Sequence, residues 1–151
     1  MHTLMSWIKQ HGWSVVLVAW ILIIWGNSLM PGEGSGSLSL GVVEWIQDGL
    51  MRLGLPYAWV TNFLIRKCAH FSEYALLGIL SCLAFKTDWK NRNVTLAFQI
   101  LLLVSVPCID ETIQLFVPAR CGALMDVMID LSGALTGFVL VQALKRVFGR
   151  S

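Results

Sequence analysis

Residues 62–85 read NFLIRKCAHFSEYALLGILSCLAF, an apolar stretch in which Arg66, Lys67, His70 and Glu73 all fall in the first half. The stretch is longer than the ~20 residues that a helix needs to cross the hydrocarbon core of a bilayer. It contains no proline that would break a helix, and it therefore predicts a membrane-spanning helix. Charged side chains in such a helix must face protein or water rather than lipid, so the first half is a candidate functional site.

The composition of the whole chain supports a membrane protein. Of 151 residues, 56% are hydrophobic and 13% are charged, whereas soluble domains are about 45–50% apolar and about 25% charged. A disordered chain is excluded, because disorder requires few aromatics and much charge. The net charge of +2 gives no reason to expect a nucleic-acid partner. We expect residues 1–151 to form a single membrane domain surrounded by lipid.

Further apolar runs predict three more spans, at about residues 13–29, 94–109 and 124–148. Residues 31–37, PGEGSGS, are rich in residues that disfavour helix and predict a turn after the first span. Residues 42–53 alternate apolar and charged positions at helical spacing, which is typical of a helix lying in the membrane interface. The predicted fold is an all-α integral membrane protein: a four-span helical bundle with an interfacial amphipathic helix between spans one and two.

The distribution of basic residues predicts the orientation of the spans. Cytoplasmic segments of membrane proteins carry an excess of Lys and Arg. With the N-terminus inside, seven basic residues fall in inner segments and four in outer segments, which favours both termini in the cytoplasm. The inner residues are Lys9, Lys86, Lys90, Arg92, Lys145, Arg146 and Arg150.

Polar residues are concentrated at one end of each of the last three spans. Because consecutive spans run in opposite directions, these ends all lie on the same, outer side of the membrane. We therefore expect their side chains to line one outward-facing polar pocket. The predicted pocket residues are Arg66, Lys67, His70, Glu73, Asp110, Glu111, Gln114, Arg120, Asp126 and Asp130.

Small residues continue the polar stripe of the last span. Gly133 and Gly137 follow Asp126 and Asp130 at intervals of three and four residues. Two glycines spaced in this way let another helix approach closely. The sequence leaves open whether that helix belongs to the same bundle or to a second copy of the chain.

Three interpretations of the pocket stay open from the residues alone. It could bind an anionic envelope group through its basic side chains. It could catalyse acid–base chemistry, for which His70, Glu73, Asp110 and Glu111 are the candidates. It could also be a structural network of paired charges. The carboxylates and one histidine could hold a hard metal ion, but the basic residues already offer charge balance, so we predict no cofactor.

The polar residues also form motifs in chain order. These are RKCAHFSEYA at 66–75, DETIQLFVPAR at 110–120, and DV at 126–127 followed by Gly133 and Gly137. Together with SLMPG at 28–32, they resemble the motifs of the VanZ-like family over nearly the whole chain. Two positions depart from the family pattern: Asp130 stands where the family usually has Asn, and Ala119 stands where it usually has Gly.

The resemblance implies a small multi-pass protein of the bacterial cytoplasmic membrane. The family is named for a protein associated with low-level resistance to the glycopeptide antibiotic teicoplanin. It thus implies a role in the cell envelope, with a lipid or peptidoglycan precursor as a candidate ligand, and it implies no particular reaction. The additional negative charge of Asp130 bears on which ligand the pocket prefers.

Overall fold

The structure is a computed structural model that describes residues 2–86, 94–120 and 122–149. Within these ranges it contains five helices and no strand: α1 (His2–Ser28), α2 (Gly32–Arg52), α3 (Asn62–Phe85), α4 (Val94–Gln114) and α5 (Leu124–Phe148). The predicted all-α class is therefore confirmed.

Four of the helices are long and apolar enough to cross a membrane. The qualifying segments are His11–Ser28 of α1 and the whole of α3, α4 and α5. The predicted bounds of the second and fourth spans agree with α3 and α5. The predicted inner loop at 87–93 lies outside the described residues, and the orientation of the bundle stays a prediction.

The third span is longer than predicted. We placed its end at residue 109, but α4 continues to Gln114 and includes Pro107. The polar residues beyond Ile109 suggested a loop, yet Asp110, Glu111 and Gln114 are buried against the other helices. A polar residue can extend a membrane helix when it faces the bundle interior, and neighbouring helices make proline tolerable in such a helix.

The second helix begins earlier than predicted. An amphipathic helix does lie between the first two spans, but the turn predicted for residues 31–37 is wrong. The helix starts at Gly32, with Pro31 as its N-cap residue, and it includes the glycines and serines that suggested a loop.

Tertiary contacts explain why this glycine-rich segment is helical. The backbone N–H of Gly32 donates to the carbonyl oxygen of Pro118 at 3.2 Å, and a side chain at Gly32 would overlap the backbone of Ala119. The Ser37 hydroxyl donates to the Gly34 carbonyl one turn earlier, at 2.8 Å. Glycine here permits close packing, which outweighs its low helix propensity.

Helices α3 and α5 form the most extensive interface in the bundle. A side chain at Gly133 would overlap the carbonyl oxygen of Phe71, and one at Gly137 would overlap that of Ala75. The two glycines of the predicted stripe therefore bring the backbones of α5 and α3 together within one chain. This close packing brings His70, on α3, next to Asp130, on α5.

The apolar core lies beside this interface and is completed by α1 and α4. It is centred on Tyr74 and Leu77 of α3, with Ile24, Val106 and Phe138 from the other spans. At one end of the bundle, the C-termini of α1 and α4 meet the N-terminal halves of α3 and α5. We call this the polar end, because the residues of the predicted pocket lie there.

Candidate functional site

The polar end contains a buried cluster of titratable side chains from three helices. His70 of α3, Asp110 and Glu111 of α4, and Asp130 of α5 each present one nitrogen or oxygen atom, and these four atoms lie within 4.8 Å of one another. We call this group the acid cluster. Asp110 is 1% exposed and Asp130 is 0% exposed. These four are among the ten residues that the sequence predicted to lie together.

Gln114 and the backbone hold two of these acids in place. The Gln114 amide nitrogen donates to Asp110 Oδ2 at 3.1 Å and to Glu111 Oε1 at 3.0 Å. The backbone N–H of Ala123 donates to Glu111 Oε2 at 2.9 Å. Gln114 is one turn after Asp110 on α4, so helical spacing alone aligns them.

Other atoms of the acid cluster have no hydrogen-bond partner among the described residues. They are His70 Nδ1, Asp110 Oδ1 and both carboxylate oxygens of Asp130, and the buried hydroxyl of Tyr74 shares this property. His70 Nδ1 and Asp130 Oδ1 are 3.5 Å apart, which is too long for a good hydrogen bond. Such atoms could hold a proton or a metal ion, because a buried carboxylate is costly without either.

A cleft opens beside the acid cluster and shares His70 with it. Its volume is about 280 Å³. On its polar wall, the Asn27 side-chain amide donates to Glu73 Oε1 at 2.9 Å. We call this cleft the arginine cleft. Its lining residues are Asn27, Ser28, Met30, Leu38, Ser39, Val42, Ile65, Arg66, Ala69, His70, Glu73 and Arg120.

The two arginines of the cleft differ in their surroundings. Arg120 donates through Nε to the Met30 carbonyl at 2.9 Å and through Nη2 to the Asn27 carbonyl at 2.8 Å. It thereby caps the C-terminus of α1, where a positive charge is favourable. Arg66, by contrast, has no hydrogen bond or ion pair with any residue that the structure describes.

The electrostatic surroundings leave Arg120 charged. Burial lowers the pKa of the Arg120 guanidinium, and the positive charge of Arg66 acts in the same direction, whereas Asp110 and Glu111 oppose the shift. Because the ordinary pKa of arginine lies far above neutrality, the guanidinium stays protonated. The cleft therefore contains two positive charges.

Two predicted pocket residues pair with each other instead of lining the cleft. Lys67 Nζ contacts Asp126 Oδ1 across the α3–α5 interface, and its ammonium group lies 5.1 Å from the centre of the Phe63 ring. This pair has the structural role that we considered for the whole pocket. The remaining predicted residues lie in the acid cluster, in the arginine cleft or, like Gln114, directly against them.

Sequence reasoning missed three polar contributors to the polar end. Asn27 donates a hydrogen bond to Glu73, Ser28 accepts one from Gln114 at 3.4 Å, and Tyr74 is fully buried with its hydroxyl near Asp110. Ser28 and Tyr74 stand inside the motifs quoted above. Only the motifs could have pointed to these two residues, because neither is charged and neither therefore stands out in an apolar run.

Comparison with known proteins identifies a family. The family model described as VanZ/LLP1 matches residues 13–145, which include all five helices in whole or in large part. No curated protein and no solved structure compared with the chain matches it. The family match spans both the acid cluster and the arginine cleft, and it agrees with the resemblance carried by the motifs. The chain belongs to the VanZ/LLP1 family of membrane proteins.

Proposed function

We propose that this protein binds the anionic group of an amphipathic cell-envelope molecule in the arginine cleft. The ligand class is a phosphate or carboxylate carried by a lipid-linked or peptide precursor. The observation that carries the proposal is the guanidinium of Arg66, which lines the cleft and has no partner among the described residues. A planar guanidinium binds phosphate or carboxylate through two parallel hydrogen bonds.

The charges of the cleft favour a ligand with a localised negative charge. Arg120 adds a second positive charge, although its donors are largely occupied by the carbonyl groups of Asn27 and Met30 and by the Gln114 side chain. Glu73 also lines the cleft, and its negative charge opposes the positive charges of the two arginines. Its carboxylate, however, accepts a hydrogen bond from Asn27. We therefore assign direct contact with the anion to Arg66 and a supporting electrostatic role to Arg120.

The apolar side chains in the lining of the cleft favour a ligand that is also apolar. Leu38 and Val42 of α2 face the cleft together with Ile65 of α3 and Met30. Binding sites for small molecules typically combine a mainly apolar lining with a few fixed polar groups. An amphiphile with its anionic group at Arg66 and its hydrocarbon part along α2 matches this division.

We further propose that occupancy of the cleft affects susceptibility to glycopeptides such as teicoplanin. The support is the family, together with the predicted orientation that turns the cleft to the outer face of the bacterial cytoplasmic membrane. The test compares teicoplanin susceptibility of a deletion strain that expresses the wild type, Arg66→Gln or Arg52→Gln. Arg52 is a matched control because it is exposed on α2 and pairs with Asp48 at 2.7 Å.

We expect Arg66→Gln to behave like the deletion and Arg52→Gln to behave like the wild type. Membrane protein levels and thermal stability are measured in parallel. If the loss of resistance follows a loss of folded protein, the polar end is structural. If the deletion strain and the complemented strain are equally susceptible, the proposed link to glycopeptides is wrong.

A second candidate function is acid–base catalysis on a lipid-linked substrate. It is favoured by Glu73, a carboxylate on the cleft wall next to His70. A general acid or base must reach the substrate directly or through one water, and a ligand anchored at Arg66 would lie within the same cleft. A lipid extract incubated with purified protein should then yield a product that Glu73→Gln does not form. Identical lipid profiles for both proteins would exclude catalysis by Glu73.

A further inference from the structure

We propose that the acid cluster is a divalent metal site with His70, Asp110, Glu111 and Asp130 as ligands. The proposal rests on these buried side chains and does not depend on what the arginine cleft binds. Each residue presents one ligand atom, and the four atoms lie within 4.8 Å of one another. Ligands on opposite sides of one divalent ion lie about 4–5 Å apart, so the cluster already has the dimensions of a coordination shell.

Asp130 gives the strongest indication that something binds there. Its side chain is 0% exposed, yet neither carboxylate oxygen has a hydrogen-bond partner among the described residues. Native proteins almost always satisfy such atoms. Asp110 Oδ1 and His70 Nδ1 are unsatisfied in the same way. These unsatisfied atoms belong to three residues of one compact cluster, each on a different helix, and they therefore indicate a missing common partner.

The negative charge of the acid cluster indicates that its missing partner is positively charged. Three carboxylates are buried together, and the described basic side chain within ion-pair distance of them is His70, which lies 3.5 Å from Asp130 and is charged only when protonated. Lys67 is bound to Asp126, and Arg120 is bound to the carbonyl groups of Asn27 and Met30 and to the side chain of Gln114. Buried charges normally require a paired charge or a metal ion. A divalent cation supplies this compensation in the middle of the cluster.

The groups around the cluster resemble the outer shell of a metal site. Gln114 donates one hydrogen bond each to Asp110 and Glu111, and the Ala123 N–H holds the second oxygen of Glu111. Outer hydrogen bonds of this kind orient ligating carboxylates and leave lone pairs free for the ion. Asp110 Oδ1 accepts no hydrogen bond of good geometry from the described residues, so it is available as a ligand atom.

The donor set indicates the chemical class of the ion. Carboxylates suit hard ions such as Mg²⁺ and Mn²⁺, while imidazole suits later transition metals. One imidazole with three carboxylates therefore favours a hard divalent ion that also accepts nitrogen, and Mn²⁺ satisfies both conditions.

The test uses the purified full chain in detergent after treatment with a chelator. Mn²⁺ alone is titrated in, and free Mn²⁺ is followed by its electron paramagnetic resonance signal. We expect about one bound ion per chain. Because loss of even an outer-shell partner weakens metal binding about 10–100-fold, we expect Asp130→Asn and His70→Gln to weaken it at least as much. Asp48→Asn, which removes an exposed carboxylate on α2, should bind as the wild type does.

The thermal stability of each variant without metal separates binding from folding. Asp130→Asn removes an uncompensated buried charge, so we expect this variant to be at least as stable as the metal-free wild type. If Asp130→Asn fails to fold, His70→Gln provides the comparison. The proposal is wrong if the wild type binds no Mn²⁺, or if a folded Asp130→Asn or His70→Gln variant binds it with unchanged affinity.

Discussion

Replacement of Gly137 by alanine tests the close packing on which the polar end depends. A Cβ atom at this position would overlap the backbone carbonyl oxygen of Ala75 and would also meet the backbone of Ile79. A flexible side chain could rotate away from a methyl group, but a helix backbone cannot. Helices α3 and α5 would therefore have to separate along their main interface.

The expected cost follows from the nature of the obstacle. Overpacking by one methyl group in a well-packed interior costs about 1–3 kcal/mol, and a backbone obstacle places Gly137→Ala near the upper end, at about 3 kcal/mol. The melting temperature of a chain of this size changes by about 2–4 °C per kcal/mol. We therefore expect a decrease of about 6–12 °C.

The assay is thermal unfolding of the purified protein in detergent, followed by circular dichroism. Gly41→Ala is the matched control, because it lies within α2 and a Cβ there has nothing within 4 Å. Alanine is the better helix former by about 1 kcal/mol, so the control should be as stable as the wild type or slightly more stable. If Gly137→Ala melts no lower than Gly41→Ala, the close α3–α5 contact is wrong.

Three further predictions concern the polar end and the topology. Arg120→Ala removes two charged hydrogen bonds to the Asn27 and Met30 carbonyl groups, so we expect about 3 kcal/mol less stability in a denaturation assay. An unchanged midpoint would contradict the capping role. A double-mutant cycle of Lys67→Met and Asp126→Asn should give a coupling of about 1 kcal/mol, since the side chains are only 21% and 17% exposed and surface pairs typically give less; zero coupling would show that the contact stabilises nothing. Reporter fusions at Asn91 and after Ser151 should both report a cytoplasmic location, and opposite locations would break the four-span topology.

The spans were predictable because hydropathy constrains membrane helices strongly. A helix is one of the few structures that satisfy every backbone hydrogen bond in lipid, so an apolar run of sufficient length has few alternatives. Because consecutive spans run in opposite directions, the polar ends of α3, α4 and α5 could then be predicted to lie on the same side of the membrane. The sequence alone therefore predicted that His70 and Asp130 lie close together, although they are far apart along the chain.

The ends of two helices could not be predicted, since tertiary contacts determine them. Asp110 and Gln114 extend α4 because other helices bury them. Gly32 begins α2 because its N–H reaches Pro118 and its missing side chain leaves room for Ala119. Neither cause appears in the local pattern of polar, apolar and helix-breaking residues.

The division of the polar residues into an acid cluster, an arginine cleft and a Lys67–Asp126 pair could not be predicted from the sequence either. Arg66 and Arg120 are equivalent in charge, yet Arg120 is bound to the carbonyl groups of Asn27 and Met30. Backbone carbonyl groups are the same in every residue, so no sequence pattern marks them as partners. Lys67 belongs to the same basic pair as Arg66, and only the geometry assigns it to Asp126.

Native mass spectrometry of protein extracted from bacterial membranes tests the central claim, that Arg66 binds an anionic amphiphile in the arginine cleft. We expect the wild type and Arg52→Gln to retain an adduct that carries a phosphate or carboxylate group, and a folded Arg66→Gln variant to lose it. Retention of the same adduct by Arg66→Gln, or retention of neutral lipids alone by the wild type, would contradict it.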